Sequence, residues 1–289
     1  MASESELERL LSCVEFRQES NEVEGIDEFR DLLEVDRAGR VLRFLCRSLP
    51  KLKGQVRGGI AFVLAEHYRK TGAVQSLREL FASNDEYVRE SVLNALWGEP
   101  GSNPEMGPAI VQMAIDAAND ASPGVRTEVS YVLQNQNAWG VDVAAGIGTL
   151  RSLLKDPNSR VRHQAAYAVG NLAKSKRDMT SCIAQLRRNV KHKDMYVRES
   201  SAWALWQLSR YKHDVSSAVP ELVWLLTDTE EYNEPRKKAA GALVHHARKS
   251  PENTKVVKAQ VQSVVLDKSR REIRKFIEEL AACPHHGTT

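Results

Sequence analysis

The sequence predicts an all-α fold, an array of stacked two-helix units. Two observations predict it. An acidic or turn-rich stretch, then an aliphatic residue and Arg, then a small-residue helical run, recurs at Arg57, Arg89, Arg126, Arg162, Arg198, Arg236 and Arg274. The steps between them are 32, 37, 36, 36, 38 and 38 residues. Spacing that constant marks a repeat array rather than one globular core. The second observation is a helical stripe. Apolar or small residues recur at −1, +3, +6, +7 and +10 from the arginine: Val161, Ala165, Ala168, Val169 and Leu172, then Val197, Ser201, Ala204, Leu205 and Leu208. That period belongs to a helix and not to a strand.

Each element follows from local chemistry. Residues 143–155 read as a first helix, Asp156-Pro157-Asn158-Ser159 as a turn, and residues 160–174 as a second helix. Pro and Asn stop one helix and restart the next. The alanines allow neighbouring helices to pack closely. Pro108 and Pro220 fall where a first helical turn tolerates proline. Residues 1–48 look helical (Leu7, Leu10, Leu11, Val14; Phe29, Leu32, Leu33) but lack the motif, and are expected to form an atypical N-terminal cap. Residues 49–282 form the array. Within it, residues 98–108 are the one long polar connection, a local break. Residues 283–289 are expected to be a disordered tail.

The core Asp156-Pro157-x-x-x-Val161-Arg162-x-x-Ala165-Ala166-x-Ala168-Val169 and its echoes resemble HEAT repeats, especially the short bacterial HEAT-like repeats of phycobilisome-lyase-like proteins. The resemblance covers about residues 50–282, with units shorter than the usual ~40–47 residues. It implies a right-handed α-solenoid of about seven two-helix HEAT-like repeats with an N-terminal helical cap. The tetratricopeptide pattern is absent. An aspartate precedes most of the arginines (Asp85, Asp120, Asp156, Asp194, Asp267). Alternating Asp and Arg can form a ladder of charge-assisted hydrogen bonds between units, and the HEAT resemblance implies the same ladder. The arginines are therefore read as structural.

Second helices of such arrays line the inner, concave curve. Positions +5 and +9 share one face outside the core stripe. At +5 stand Phe62, Asn94, Tyr131, Tyr167, Trp203, Gly241 and Glu279; at +9 stand Glu66, Gly98, Asn135, Asn171, Gln207, His245 and Cys283. Three successive units carry aromatic-x-x-x-amide: Tyr131/Asn135, Tyr167/Asn171 and Trp203/Gln207. An amide can pair with an extended peptide backbone, and the ring offers an apolar wall. The pattern is similar to the Trp-x-x-x-Asn arrays of armadillo proteins, with Tyr replacing Trp twice and Gln replacing Asn once. Import-type basic signals therefore do not carry over. The expected partner-binding residues are Tyr131, Asn135, Tyr167, Asn171, Trp203, Gln207 and His245. Trp97, Trp206 and Trp224 are expected in the core.

Composition narrows the function. Residues 1–145 hold 15 Lys and Arg against 23 Asp and Glu, and residues 146–289 hold 26 against 15. The overall +3 therefore hides a bipolar chain, with basic stretches such as Arg236-Lys237-Lys238 toward the end. Four scattered cysteines without Cys-x-x-Cys spacing fit a reducing compartment. No apolar run spans a membrane, and no signal segment opens the chain, so a cytoplasmic location is expected. No nucleophile motif or phosphate loop appears. HEAT-like deoxyhypusine hydroxylases hold iron with His-Glu pairs, and no such dipeptide occurs here. The bilin-lyase motif is matched only by Trp203-Ala204-Leu205-Trp206. His285, His286 and Cys283 sit in the tail and are not read as a metal site. The expected function is a non-catalytic scaffold or adaptor with no cofactor and no metal, binding another protein's extended peptide or helix. The alternative is a nucleic-acid-binding solenoid using the basic half, glycosylase-like at the extreme.

Overall fold

The computed structural model describes residues 3–17, 22–36, 39–175, 177–228, 231–263 and 271–283. Residues 284–289 of the expected tail, Asp267 and Lys268 lie outside the described residues, whereas Cys283, expected in that tail, is buried, with its N–H on the Leu280 carbonyl. The chain divides into two compact units, residues 1–143 and 144–289.

The first unit opens with α1 (Glu4–Ser12), β1 (Glu15–Arg17), β2 (Glu22–Glu24), α2 (Asp27–Val35) and α3 (Arg40–Ser48). Ser3 and Glu6 close a capping box at the start of α1. The expected all-helical cap is thus interrupted by a short antiparallel hairpin, with Phe16 opposite Val23. Val23 packs on Gly59, where a Cβ would stand 2.8 Å from its Cγ1. Strands of three residues leave too little alternation to read from sequence. Leu7, Phe29, Leu33, Phe44 and Leu45 share one core with Ile60 and Leu64 of the first array helix, so the cap covers the end of the stack. The Phe29 and Phe44 rings stack at 6.4 Å.

The array continues with α4 (Gly54–Thr71), α5 (Val74–Phe81), α6 (Glu86–Ala95), α7 (Met106–Asp116) and α8 (Pro123–Ala138). α4 packs on α6 and α6 on α8, while α5 meets α7, so second and first helices form separate layers. The polar connection folds back on the end of α4, where Asn103 donates to the Gly72 carbonyl at 2.9 Å.

The second unit holds α9 (Ile147–Leu153), α10 (Ser159–Leu172), α11 (Thr180–Asn189), α12 (Met195–Arg210), α13 (Val219–Thr227), α14 (Asn233–Ala247), α15 (Pro251–Gln262) and α16 (Arg271–Ala281). Here α10, α12, α14 and α16 stack in one layer and α9, α11, α13 and α15 in the other. Ala165, Ala168, Ala204, Ala239 and Ala242 are fully buried between the layers. They bring the helices close at little side-chain entropy cost.

The arginines lock the turns. Arg57 donates to Asp85 at 2.9 Å and to the Leu49 and Pro50 carbonyls. Arg89 grips Asp120 with two bonds, 2.6 and 2.8 Å, and the Ser83 carbonyl with a third. Arg198 grips Glu231 in the same bidentate way and reaches the carbonyls of His192 and Lys193. In these pairs each arginine takes its carboxylate from the following unit, and in the Arg198 pair glutamate replaces aspartate. Asp85 also caps its own helix, accepting from the Tyr87 N–H at 2.9 Å, as Asp194 does from the Tyr196 N–H at 2.9 Å. A carboxylate that caps its own helix and pairs with the previous arginine fixes the register of two units at once.

Candidate partner-binding face

The +5 rings are neither free surface nor core. Tyr131, Tyr167 and Trp203 are all half-buried. The reason is a pairing between successive second helices of one layer. The +8 position of one second helix meets the +5 position of the next. Trp97 (+8 on α6) packs on Tyr131 (+5 on α8), ring centroids 4.6 Å apart. Gly170 (+8 on α10) receives Trp203 (+5 on α12), whose Cε3 would lie 2.8 Å from a Cβ at 170. Trp206 (+8 on α12) covers Gly241 (+5 on α14), with its Cε2 2.9 Å from a Cβ built there. Two of the three contacts pair a large ring with glycine.

In the second unit the rings form one cluster. Trp203 packs on Tyr167 at 4.8 Å, and Tyr167 meets His163 edge-on at 4.8 Å. His163 also faces Tyr196 at 6.0 Å, its Nδ1 3.0 Å from the Tyr196 carbonyl. Burial, with Glu199 nearby, pushes the Tyr167 phenol above its ordinary range. Asn171 lies one turn along from Tyr167 and is half-buried, as is Asn135 beside Tyr131 in the first unit.

Gln207 and Trp224 both depart from expectation. Gln207 is buried, not a surface amide, and its side-chain carbonyl has no partner among the described residues. α12 is enclosed by α10 and α14 on both sides, which closes the +9 position. Trp224 is 40% exposed rather than core. Leu222, Val223, Leu225 and Leu226 take the buried face of α13, so the intervening residue turns outward, under the Lys191 ammonium at 5.5 Å.

In the first unit Phe62 and Glu66, the +5/+9 pair of α4, are both held by Arg30. Its guanidinium lies 5.9 Å over the Phe62 ring and bonds Glu66 at 2.9 Å. Burial opposes ionisation of Glu66, but Lys70 and Arg30 outweigh it and hold the carboxyl below its ordinary value. That end is a closed ion-pair cluster.

The last predicted residue, His245, is half-buried and lines a cavity of about 490 Å³ with Trp206, Gly241, Val244, Phe276 and Glu279. Lys237, Lys238, Arg271 and Lys275 complete its lining. Burial and the nearby Arg248 and Arg210 charges keep the His245 imidazole less basic than usual. Trp206 was expected in the core, yet it forms a wall of this cavity, 6.2 Å from His245 with the Lys238 ammonium 5.9 Å away. Sequence reasoning missed Trp206 and Trp97 as part of the face, while His163 was read as one of its rim positions. The glycines at 170 and 241, set against tryptophans at 203 and 206, were the available signal. Among the described residues no group of three His, Cys, Asp or Glu is placed to hold a metal ion. Nor is any described helix long and apolar enough to cross a membrane.

A stack of paired helices locked by an Arg–carboxylate turn defines a repeat solenoid of the HEAT class. The family model for HEAT repeats matches residues 111–206 and 150–243, so residues 111–243 carry HEAT repeats and the fold is a HEAT-repeat solenoid. No curated protein matches the chain. Among solved structures, the chain is similar to an engineered protein from a structural genomics consortium at a TM-score of 0.61 and 20% identity, covering 96% of this chain and 78% of that one. A designed armadillo repeat protein matches at 0.56 and 18% identity, over 72% of this chain and 97% of its own. A computationally designed armadillo repeat protein for modular peptide recognition matches at 0.53 and 18% identity, over 71% and 98%. These likenesses concern the fold.

Proposed function

We propose that this chain is a non-catalytic, cytoplasmic interaction scaffold whose second-helix face takes an extended peptide or a partner's helix. The observation that carries the reading is the cluster of His163, Tyr167, Tyr196 and Trp203, with Asn171 one turn away. His163, Tyr167 and Trp203, half-buried against each other, are already ordered, so a partner stacking on them costs little further side-chain entropy. The amides supply donor and acceptor to a peptide backbone. Tyr131 and Asn135 offer the same pair in the first unit, and Gln207, being buried, drops out of the set. The armadillo protein designed for peptide recognition supports the reading by analogy of fold alone.

Selection from a displayed library of random peptides tests it. Enriched peptides should lose at least about tenfold in affinity for Tyr167→Ala and Asn171→Ala, with melting temperature followed in parallel. If no sequence enriches, or if affinity is indifferent to both substitutions, the face is structural. The nucleic-acid alternative rests on the basic excess of residues 146–289. It predicts instead a steep loss of affinity with salt and sensitivity to nuclease.

A further inference from the structure

The cavity beside α14 has a chemistry of its own. Aromatics occupy +5 on α8, α10 and α12, but α14 has Gly241 there. Gly241 lines the cavity together with residues of α14 and α16, and Trp206 of α12 lies across the glycine as one wall. Phe276 and Val244, both buried, supply further apolar lining. At about 490 Å³ the cavity is in the range of small-ligand sites, ~300–1,000 Å³.

Its rim is cationic beyond what its own carboxylates neutralise. Glu234 is shared by Lys237 at 2.6 Å and Lys238 at 3.6 Å. Glu279 is shared by Arg248 at 3.9 Å and Lys275 at 3.7 Å. Arg271 adds a further cation. Five cations against two carboxylates, set around an apolar hollow, concentrate the field on whatever enters it.

We propose that this pocket binds an acidic peptide segment carrying one aromatic or large aliphatic side chain. The apolar side chain fills the space between Trp206 and Phe276, and flanking carboxylates meet Lys237, Lys238, Arg271 and Lys275. Glu279 offers an acceptor to a peptide N–H. A bounded hollow with apolar walls also differs from the continuous groove that tracks a phosphate backbone. The inference does not rest on the aromatic-cluster reading, whose residues lie outside the pocket.

The test uses the full chain and a short fluorescein-labelled peptide of glutamates around one phenylalanine, read by anisotropy. Saturable binding is expected, weakened at least about tenfold by Lys238→Glu with Lys275→Glu and by replacing the peptide's phenylalanine with alanine. Tyr167→Ala, outside the pocket, leaves this binding within about twofold, which separates failure of the pocket from failure of the aromatic cluster. An unchanged melting temperature in the charge-reversed variant shows that it folds. Binding that ignores the charge reversal or the phenylalanine overturns the proposal. So does displacement of the peptide by a single-stranded oligonucleotide that itself binds more tightly and loses affinity on the same charge reversal, which assigns the site to nucleic acid.

Discussion

The indole of Trp203 occupies the volume that any side chain at Gly170 would need. Cε3 would stand 2.8 Å from a Cβ at 170, and the backbone Cα of Ala204 3.2 Å from it. Helix propensity and packing therefore point in opposite directions at this position. Gly170→Ala gains about 1 kcal/mol of intrinsic helix stability but overpacks the α10–α12 contact, at about 1–3 kcal/mol. We expect a net loss, seen as a lower urea midpoint. Trp203→Ala in the same chain should recover part of the penalty, since it removes the ring that the methyl displaces. A stabilised Gly170→Ala would mean that the ring has another resting place.

Arg89 and Asp120 form a partly buried bidentate pair, their side chains 17% and 11% exposed. Arg89→Ala leaves a capped but unpaired carboxylate and should cost about 1.5–3 kcal/mol, the range for hydrogen bonds to charged groups. Arg89→Lys keeps the charge and loses the fork, so it should recover only part of that. Chemical denaturation of the three proteins measures the order directly.

The cysteines should separate by reactivity. Cys13 and Cys46 are exposed, whereas Cys182 is buried in α11 and burial pushes its thiol up to about 11. A thiol reagent at neutral pH should label Cys13 and Cys46 within minutes and Cys182 only after denaturant is added. Mass spectrometry of the labelled peptides identifies the sites. Early modification of Cys182 would reveal opening of the α9–α11–α13 layer.

His246 is fully enclosed, and neither ring nitrogen has a hydrogen-bond partner among the described residues. Burial first, and then the Lys249 charge, lower its pKa below the ordinary 6.5. The unfolded chain binds the proton more readily than the folded one below that value. Stability is therefore unaffected by this group above pH 6.5 and falls as pH drops through it. His67, His192, His213 and His245 shift in the same direction, each with burial as the largest cause. The melting temperature should fall between pH 7.5 and 5.5 by an amount that His246→Leu reduces. An identical slope in the variant would place the proton uptake elsewhere.

The repeat arginines were legible because their spacing is a one-dimensional signal that survives without tertiary information. The second-helix stripe was legible for the same reason: Val125, Val161 and Val197, at −1, are fully buried as the period requires. What escaped was set by neighbours in space. Nothing local to Gln207 states that α12 is flanked on both sides. Nothing local to Phe16 and Val23 states that they pair, with so few residues to alternate. Glu231 escaped as the partner of Arg198 because the motif search looked for aspartate. The half-buried state of Tyr167 and Trp203 lay between two expectations, and only the glycine opposite Trp203 hinted at the outcome.

The alternation of ring and glycine across successive helices also makes the interfaces non-interchangeable. A copy of the α11–α12 pair inserted after itself would set Trp206 against a second Trp203, two indoles competing for one space. A duplicated α9–α10 pair would set Gly170 against Tyr167. Growth or loss of a repeat in this chain would therefore change the ring packing at the new seam. The order of its units is written into side-chain volume, independently of the uniform arginine spacing that gives them their common shape.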